Sequence, residues 1–225
     1  MNNIELVVPG ESERLSARSL SARVHDTLRD KLADGELLPG QKLTGRVLSE
    51  KLGVSQTPVR EAMLQLVAER ALTMNPNRSL TVPLLNRDKF IELRDLRIVL
   101  ESMASRHAAI EADASVIKKL EELHKKMIKA KRSGDYQTTL RLNRLLHFSV
   151  YELCGKEELF AIIQSLWART GPYLNFLYVS VDPTSFDGHP HEALIEGLRT
   201  HDADMAEEAV KRDILDGGKA ILDAL

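Results

Sequence analysis

The chain has 225 residues, 43% of them hydrophobic, with 31 Lys plus Arg against 33 Asp plus Glu for a net charge of −2. That length holds a real core in one large or two small domains. An aromatic share of only 4% favours helices, and the near-neutral balance gives no hint of a nucleic-acid partner. One cysteine, Cys154, excludes an internal disulfide and fits a reducing compartment. The start carries no basic segment followed by a long apolar run, and no apolar stretch approaches the ~20 residues that span a bilayer. The expectation is a cytoplasmic protein with no membrane partner.

In chain order, Leu20, Val24, Leu28 and Leu32 recur every four residues and predict an amphipathic helix ending at Gly35. Pro39-Gly40 is a turn signal. A second helix is capped by Thr44, buries Val47, Leu48 and Leu52, and closes at Gly53. Ser55 is placed to cap a third helix, with Pro58 in its first turn and an apolar stripe of Val59, Ala62, Met63, Leu66 and Val67. Two short β segments follow, Leu72 to Met74 and Leu80 to Val82, joined by Asn75-Pro76-Asn77-Arg78-Ser79. Three helices and a hairpin predict a winged helix-turn-helix over residues 1–83. In that motif the N-terminal residues of the second helix of the pair meet bases and phosphates. Ser55 and Thr57 offer hydroxyls there, Gln56 an amide and Arg60 a guanidinium. Without further information, a protein-binding module with a solvated helix front fits the same pattern.

Residues 84–225 read as an all-α bundle of six helices, near 87–111, 113–133, 135–155, 157–178, 187–201 and 203–224. Leu93, Leu96, Leu100 and Met103 mark the core side of the first, and "EADAS", "SGD", "CGKE" and "DPTSFDGHP" are the breaks. The fold class is therefore mainly α.

Four polar residues fall on apolar helix faces of this bundle. Asn143 and His147, four apart, share a side with Leu140, Val150, Tyr151 and Cys154. His191 opens the stripe Leu194, Ile195, Leu198, and Asp213 lies among Ala209, Val210, Ile214 and Gly217. Inward polar groups need partners. Two imidazoles plus oxygens make one divalent-ion site, open to water or a ligand carboxylate; a metal-free pocket holding an organic anion is the other reading. Arg97 and Glu101, four apart, read either as an i,i+4 pair or as a fork for an effector carboxylate. Arg169, after Trp167, is a second such candidate. His107, His189 and His201 read as surface or packing residues, and "KKLEELHKKMIKAKR" as a solvated helix face.

The stretch "LADGELLPGQKLTGRVLSEKLGVSQTPVREAMLQLVAERAL" resembles the DNA-binding domain of the GntR family of bacterial transcription regulators. The resemblance implies that Arg46, Ser55, Gln56, Thr57 and Arg60 contact double-stranded operator DNA. The family usually has Arg where Gln56 stands, and Gln suits an adenine edge. The wing tip, usually glycine, is here "NPNRS", with Asn77 expected to take the left-handed conformation and Arg78 to reach the minor groove.

Arg97 with Leu100-Glu101, the helix of His147, and His191 opening the next-to-last helix resemble the FadR-type C-terminal ligand domain. Six helices rather than seven point to its shorter, VanR-like branch. Many members of that family hold a metal with one Asp and three His. Here the Asp position is Asn143, and the third His position is Asp213. That set implies one divalent ion of an oxygen-tolerant kind (Zn, Ni, Mn or Fe), held by Asn143, His147, His191 and Asp213.

The resemblance implies a homodimeric regulator that reads paired half-sites, responds to a small carboxylate effector, and sits on the nucleoid when bound to DNA. A metal-dependent hydrolase using His147, His191 and Asp213 is the alternative from a different class, although no motif such as H-E-x-x-H places an acid or base beside them.

Overall fold

The computed structural model describes residues 11–178 and 190–225, with side chains for residues 20–177 and 190–225. His189 lies outside the described residues. The elements run α1 (Glu11–Ala33), β1 (Lys42–Leu43), α2 (Gly45–Leu52), α3 (Gln56–Ala68), β2 (Thr73–Met74), β3 (Leu80–Thr81), α4 (Arg87–Glu111), α5 (Ala114–Arg132), α6 (Tyr136–Leu153), α7 (Glu157–Thr170), a 3-10 helix (Gly171–Tyr178), α8 (Pro190–Arg199) and α9 (Ala203–Ala224).

The N-terminal head is built around α1 to α3. Val24, Leu28 and Leu32 of α1 pack on Val59, Ala62 and Leu66 of α3. The Thr44 hydroxyl accepts from the Val47 amide to start α2. Gly53 ends α2 in the left-handed region at φ 66°, which favours glycine. Val47, expected inside, is exposed; only Leu48 and Ser49 of α2 are buried. Ser55 occupies the N-cap position of α3, yet its side chain makes no capping bond, so the hydroxyl remains available.

The wing is a three-stranded sheet of order β1-β3-β2, not a simple hairpin. Lys42 and Leu43 pair antiparallel with Thr81 and Leu80, adding the strand that the sequence did not reveal. At the tip Arg78, not Asn77, takes positive φ, at 62°. Asn77 Oδ1 accepts from the amide and hydroxyl of Ser79, so its side chain builds an Asx-type turn and passes the left-handed position to its neighbour.

Four of the bundle's helices, α4, α5, α6 and α9, start where a short side chain caps them. Asn86, Asp113, Asp135 and Asp202 each accept from an amide three residues on. The run predicted as one helix over 157–178 is divided. It changes to 3-10 at Gly171-Pro172, where proline removes a backbone donor. A Cβ on Gly171 would lie 2.4 Å from the carbonyl oxygen of Leu32, so glycine lets the end of α1 abut this turn. On α4 the buried side runs Phe90, Leu93, Arg97, Glu101, Ala104, Ala108. Leu96 and Met103, predicted inside, are exposed together with Val99 and Ile110. The lysine-rich α5 is solvated on one side only: Ile117, Leu120, His124, Met127 and Ala130 are buried. Among the described residues no helix is long and apolar enough to cross a membrane.

Head and bundle meet along α1. Ala168 of α7 belongs to the head's apolar cluster. Arg144 of α6 donates from Nε and Nη2 to the Asp34 carboxylate at 2.7 and 3.1 Å, and from Nη1 to Asp30 at 3.1 Å. Gln137 donates to the Asp34 carbonyl and Asn175 to that of Gly35.

Candidate functional site

Two separate places in the molecule carry chemistry. In the head, Arg46, Gln56, Thr57, Arg60 and Arg78 line one open groove between the start of α2, the front of α3 and the wing. Arg46 is mostly exposed and shares a surface ion pair with Glu50 at 3.0 Å, a pair worth little that a phosphate can replace. Ser55 is exposed at the same helix start but does not line the groove. Glu61 does line it. It is the acidic member among these cations, and sequence reasoning passed over it. A carboxylate here repels phosphate and can accept from a cytosine amine.

In the bundle, three of the four proposed metal donors converge. His147 on α6, His191 on α8 and Asp213 on α9 place one donor atom each within 4.8 Å of one another. The two imidazole Nε2 atoms are 3.0 Å apart. His147 Nε2 lies 3.2 Å from Asp213 Oδ2, and His191 Nε2 lies 3.7 Å from Asp213 Oδ1. Donors that share one ion at about 2.1 Å sit roughly 3.0–3.4 Å from each other, so the two distances from His147 suit a shared cation and the His191–Asp213 distance lies somewhat beyond that range. Both imidazoles are buried, and Asp213 is partly exposed. Asn143 is half-buried one turn before His147 on the same helix. Two His and one carboxylate leave coordination positions open. Lys131 faces Asp213 as well, its ammonium drawn below the ordinary value by burial.

Behind His147 stands a buried polar chain. His147 Nδ1 is 2.9 Å from the Tyr151 hydroxyl. That hydroxyl donates to Glu101 Oε2 at 2.6 Å. Glu101, fully buried, takes a forked pair of bonds from Arg97, Nε to Oε1 at 2.6 Å and Nη2 to Oε2 at 3.3 Å. Burial and the Glu101 carboxylate hold the Tyr151 phenol well above its ordinary pKa, so it keeps its proton. Arg97 also stacks over Trp167, 4.5 Å from the ring centre. The i,i+4 pair is thus a core element rather than a surface one. His124 meets His191 edge-on at 5.7 Å between ring centres. Its position within a run of lysines concealed it.

Arg169 does not join this group. Burial, then Arg70, lowers its pKa while Glu92 opposes, which sets its charged neighbours at the head–bundle junction. His201 is exposed, its ring Nδ1 at 2.8 Å from the Ala109 carbonyl, and His107 is half-buried.

A winged head with a cation-lined groove at its recognition helix, joined to a helical bundle with a buried His-His-Asp cluster, defines a ligand-responsive DNA-binding protein. Residues 20–82 match the family described as bacterial regulatory proteins, gntR family, and residues 92–216 match the FCD domain. The chain is 34% identical over 186 residues to the HTH-type transcriptional regulator McbR of Escherichia coli (strain K12), covering 82% of this chain and 84% of that protein. The solved structure of E. coli McbR/YncC superposes with a TM-score of 0.83 at 32% identity, covering 91% of this chain and 97% of that one. The gluconate operon transcriptional repressor of Bacillus subtilis (strain 168) is 24% identical over 200 residues, covering 84% of this chain and 79% of its own length. The chain belongs to the GntR family of bacterial transcription regulators and carries an FCD domain. It is a regulator and not an enzyme; the hydrolase alternative finds no support among its relatives.

Proposed function

We propose that residues 1–83 form an operator-reading head and residues 84–225 an effector-binding bundle, in which a divalent ion held by His147, His191 and Asp213 receives a small carboxylate. The convergence of these three donors beside open coordination positions carries the reading. Asn143 is the neutral fourth donor. The ion supplies a fixed positive charge for the effector's carboxylate. The indole Nε1 of Trp167, whose ring centre lies 5.5 Å from that of His147, is buried without a hydrogen-bond partner among the described residues. Such a donor favours a ligand rich in oxygen. A relative named for a gluconate operon fits that class. Leu96, Val99, Met103 and Ile110 recur along one exposed side of α4, an apolar stripe suited to a second copy in a homodimer acting in the bacterial cytoplasm.

Operator binding is tested at Arg60 and Gln56. Arg60→Ala removes a charge-assisted contact from an exposed helix face and leaves the core untouched. Specific binding falls about 10- to 100-fold, and the slope of affinity against salt drops by about one. Gel shifts at two salt concentrations measure both, and unchanged operator affinity refutes the assignment. Gln56→Arg shifts base preference from adenine toward guanine, with roughly 1–3 kcal/mol for each good bidentate pair. Selection from random operators reads the change; the same consensus from both proteins removes Gln56 from the base-reading set.

A further inference from the structure

We infer that Tyr151, anchored by the Arg97–Glu101 pair, is a positioning residue that fixes His147 in the tautomer with its proton on Nδ1 and a bare Nε2 turned toward His191 and Asp213. The inference rests on the metal reading above, and it concerns residues that lie behind the donors rather than among them.

The argument is a count of protons along one chain. Arg97 has only donors, and two of them bond the two oxygens of Glu101. The carboxylate so paired has only lone pairs to offer. The Tyr151 hydroxyl lies 2.6 Å from it and carries one proton, so that proton goes to Glu101. The phenol oxygen then has lone pairs alone to offer to His147 Nδ1 at 2.9 Å, and a bond there needs the proton on Nδ1. A neutral imidazole protonated at Nδ1 has a free lone pair on Nε2, the state in which it ligates a metal. Nε2 is the atom that faces His191 and Asp213, at 3.0 and 3.2 Å. The chain Arg97–Glu101–Tyr151 thus turns the protons of His147 and Tyr151 away from the cluster, and it leaves the His147 Nε2 lone pair and the Asp213 carboxylate, two acceptors 3.2 Å apart, to be satisfied by a cation or by a proton on His191 Nε2. An opposite order, with Tyr151 donating to His147, would set a proton on Nε2 where a cation belongs, and would turn two acceptors on each other at Glu101. The pieces are rigidly held: Glu101 and Tyr151 are fully buried, and Arg97 is clamped between Glu101 and the face of Trp167.

The test uses the full chain without metal first. Two-bond proton–nitrogen correlation spectra of the labelled protein show which ring nitrogen of His147 carries hydrogen. The expected result is Nδ1–H in the wild type and a mixture or an Nε2–H form in Tyr151→Phe, which keeps the ring and loses only the oxygen. Zn²⁺ is then titrated against a competing chelator. Tyr151→Phe weakens binding about 10- to 100-fold, the usual cost of losing an outer-shell partner. Glu101→Gln is a second variant. Its carbonyl turns to Arg97 and its amide to Tyr151, which reverses the phenol proton and drives His147 to Nε2–H. Nε2–H in the wild type, or a Tyr151→Phe protein with unchanged tautomer and Zn²⁺ affinity within twofold, overturns the inference. A wild type that refuses Zn²⁺ while its tautomer still changes in Tyr151→Phe overturns the metal reading and leaves the positioning of His147 standing.

Discussion

His191→Ala is expected to lose divalent-ion affinity by roughly 100-fold or more, beyond the 10–100-fold typical of outer-shell changes. One of two imidazoles is gone, and the remaining pair, His147 and Asp213, is a weak chelate. His191 is fully buried with its Nε2 facing both partners, and a water filling the space it leaves is a weaker donor than an imidazole. Metal bound only by the folded state stabilises it by mass action, about 2.7 kcal/mol when free ion exceeds the dissociation constant 100-fold. For a chain of this size each kcal/mol moves the melting temperature by about 2–4 °C. A chelator should therefore lower the wild-type melting temperature by about 5–10 °C and leave His191→Ala unmoved. Asn143→Asp should act in the opposite direction, adding a charged donor one turn before His147. Elemental analysis of protein purified without an affinity tag, followed by melts with and without chelator, measures all three. Less than about a tenth of an equivalent of metal, with no shift on adding Zn, Ni or Mn, rejects the ion and reassigns the two imidazoles to direct recognition of an organic anion.

The three converging donors were legible in the sequence for one physical reason. Each is a polar side chain at a register position where its helix is otherwise apolar, and burial makes that position costly without a partner. His124 was not legible because it stands in a charged run, between Glu121-Glu122 and Lys125-Lys126, although Leu120 and Met127 at helical spacing share its buried face. The link from Glu101 to Tyr151 joins residues far apart in sequence, and no local pattern encodes such a contact. On α4 the polar Arg97 and Glu101 occupy the inward stripe, so an apolar period traced through Leu96 and Met103 selected the wrong face. The first wing strand is two residues long, too short to show alternation. Of the two caps read from the sequence, Thr44 bonds the Val47 amide, while Ser55 stands at the start of α3 without a capping bond.

Arg144→Ala is expected to cost about 3–5 kcal/mol of stability, because it leaves a carboxylate buried without its counter-charge. Asp34 is 4% exposed and takes two of the three Arg144 bonds, while Asp30 takes the third from a more open position. Burial, more than the neighbouring Asp34 charge, raises the Asp30 pKa even with Arg144 beside it. Removing the guanidinium therefore exposes two carboxylates to each other near the end of α1. Arg144→Lys should fall between wild type and alanine, since an ammonium keeps the charge and loses the fork. Removing both sides, in Arg144→Met with Asp34→Leu, should recover much of the loss, because a buried pair replaced by apolar groups of similar size is often neutral. Urea unfolding of the single and double variants measures the coupling, and simple additivity would show that the pair does not act as a unit. The same contact lies between the bundle's cluster and the recognition helix, and it is expected to carry a bundle signal toward DNA. Arg144 precedes His147 by three residues on α6, and Asp34 follows directly on α1, whose Val24, Leu28 and Leu32 pack on the recognition helix α3. A ligand that shifts His147 is expected to shift this clamp, and with it α1 and the helix that carries Gln56 and Arg60. In the apolar double variant, operator affinity measured with and without Zn²⁺ should differ less than in the wild type, even where both proteins bind the ion equally well. An undiminished response in that variant would route the signal through Ala168 and the other contacts along α1 instead.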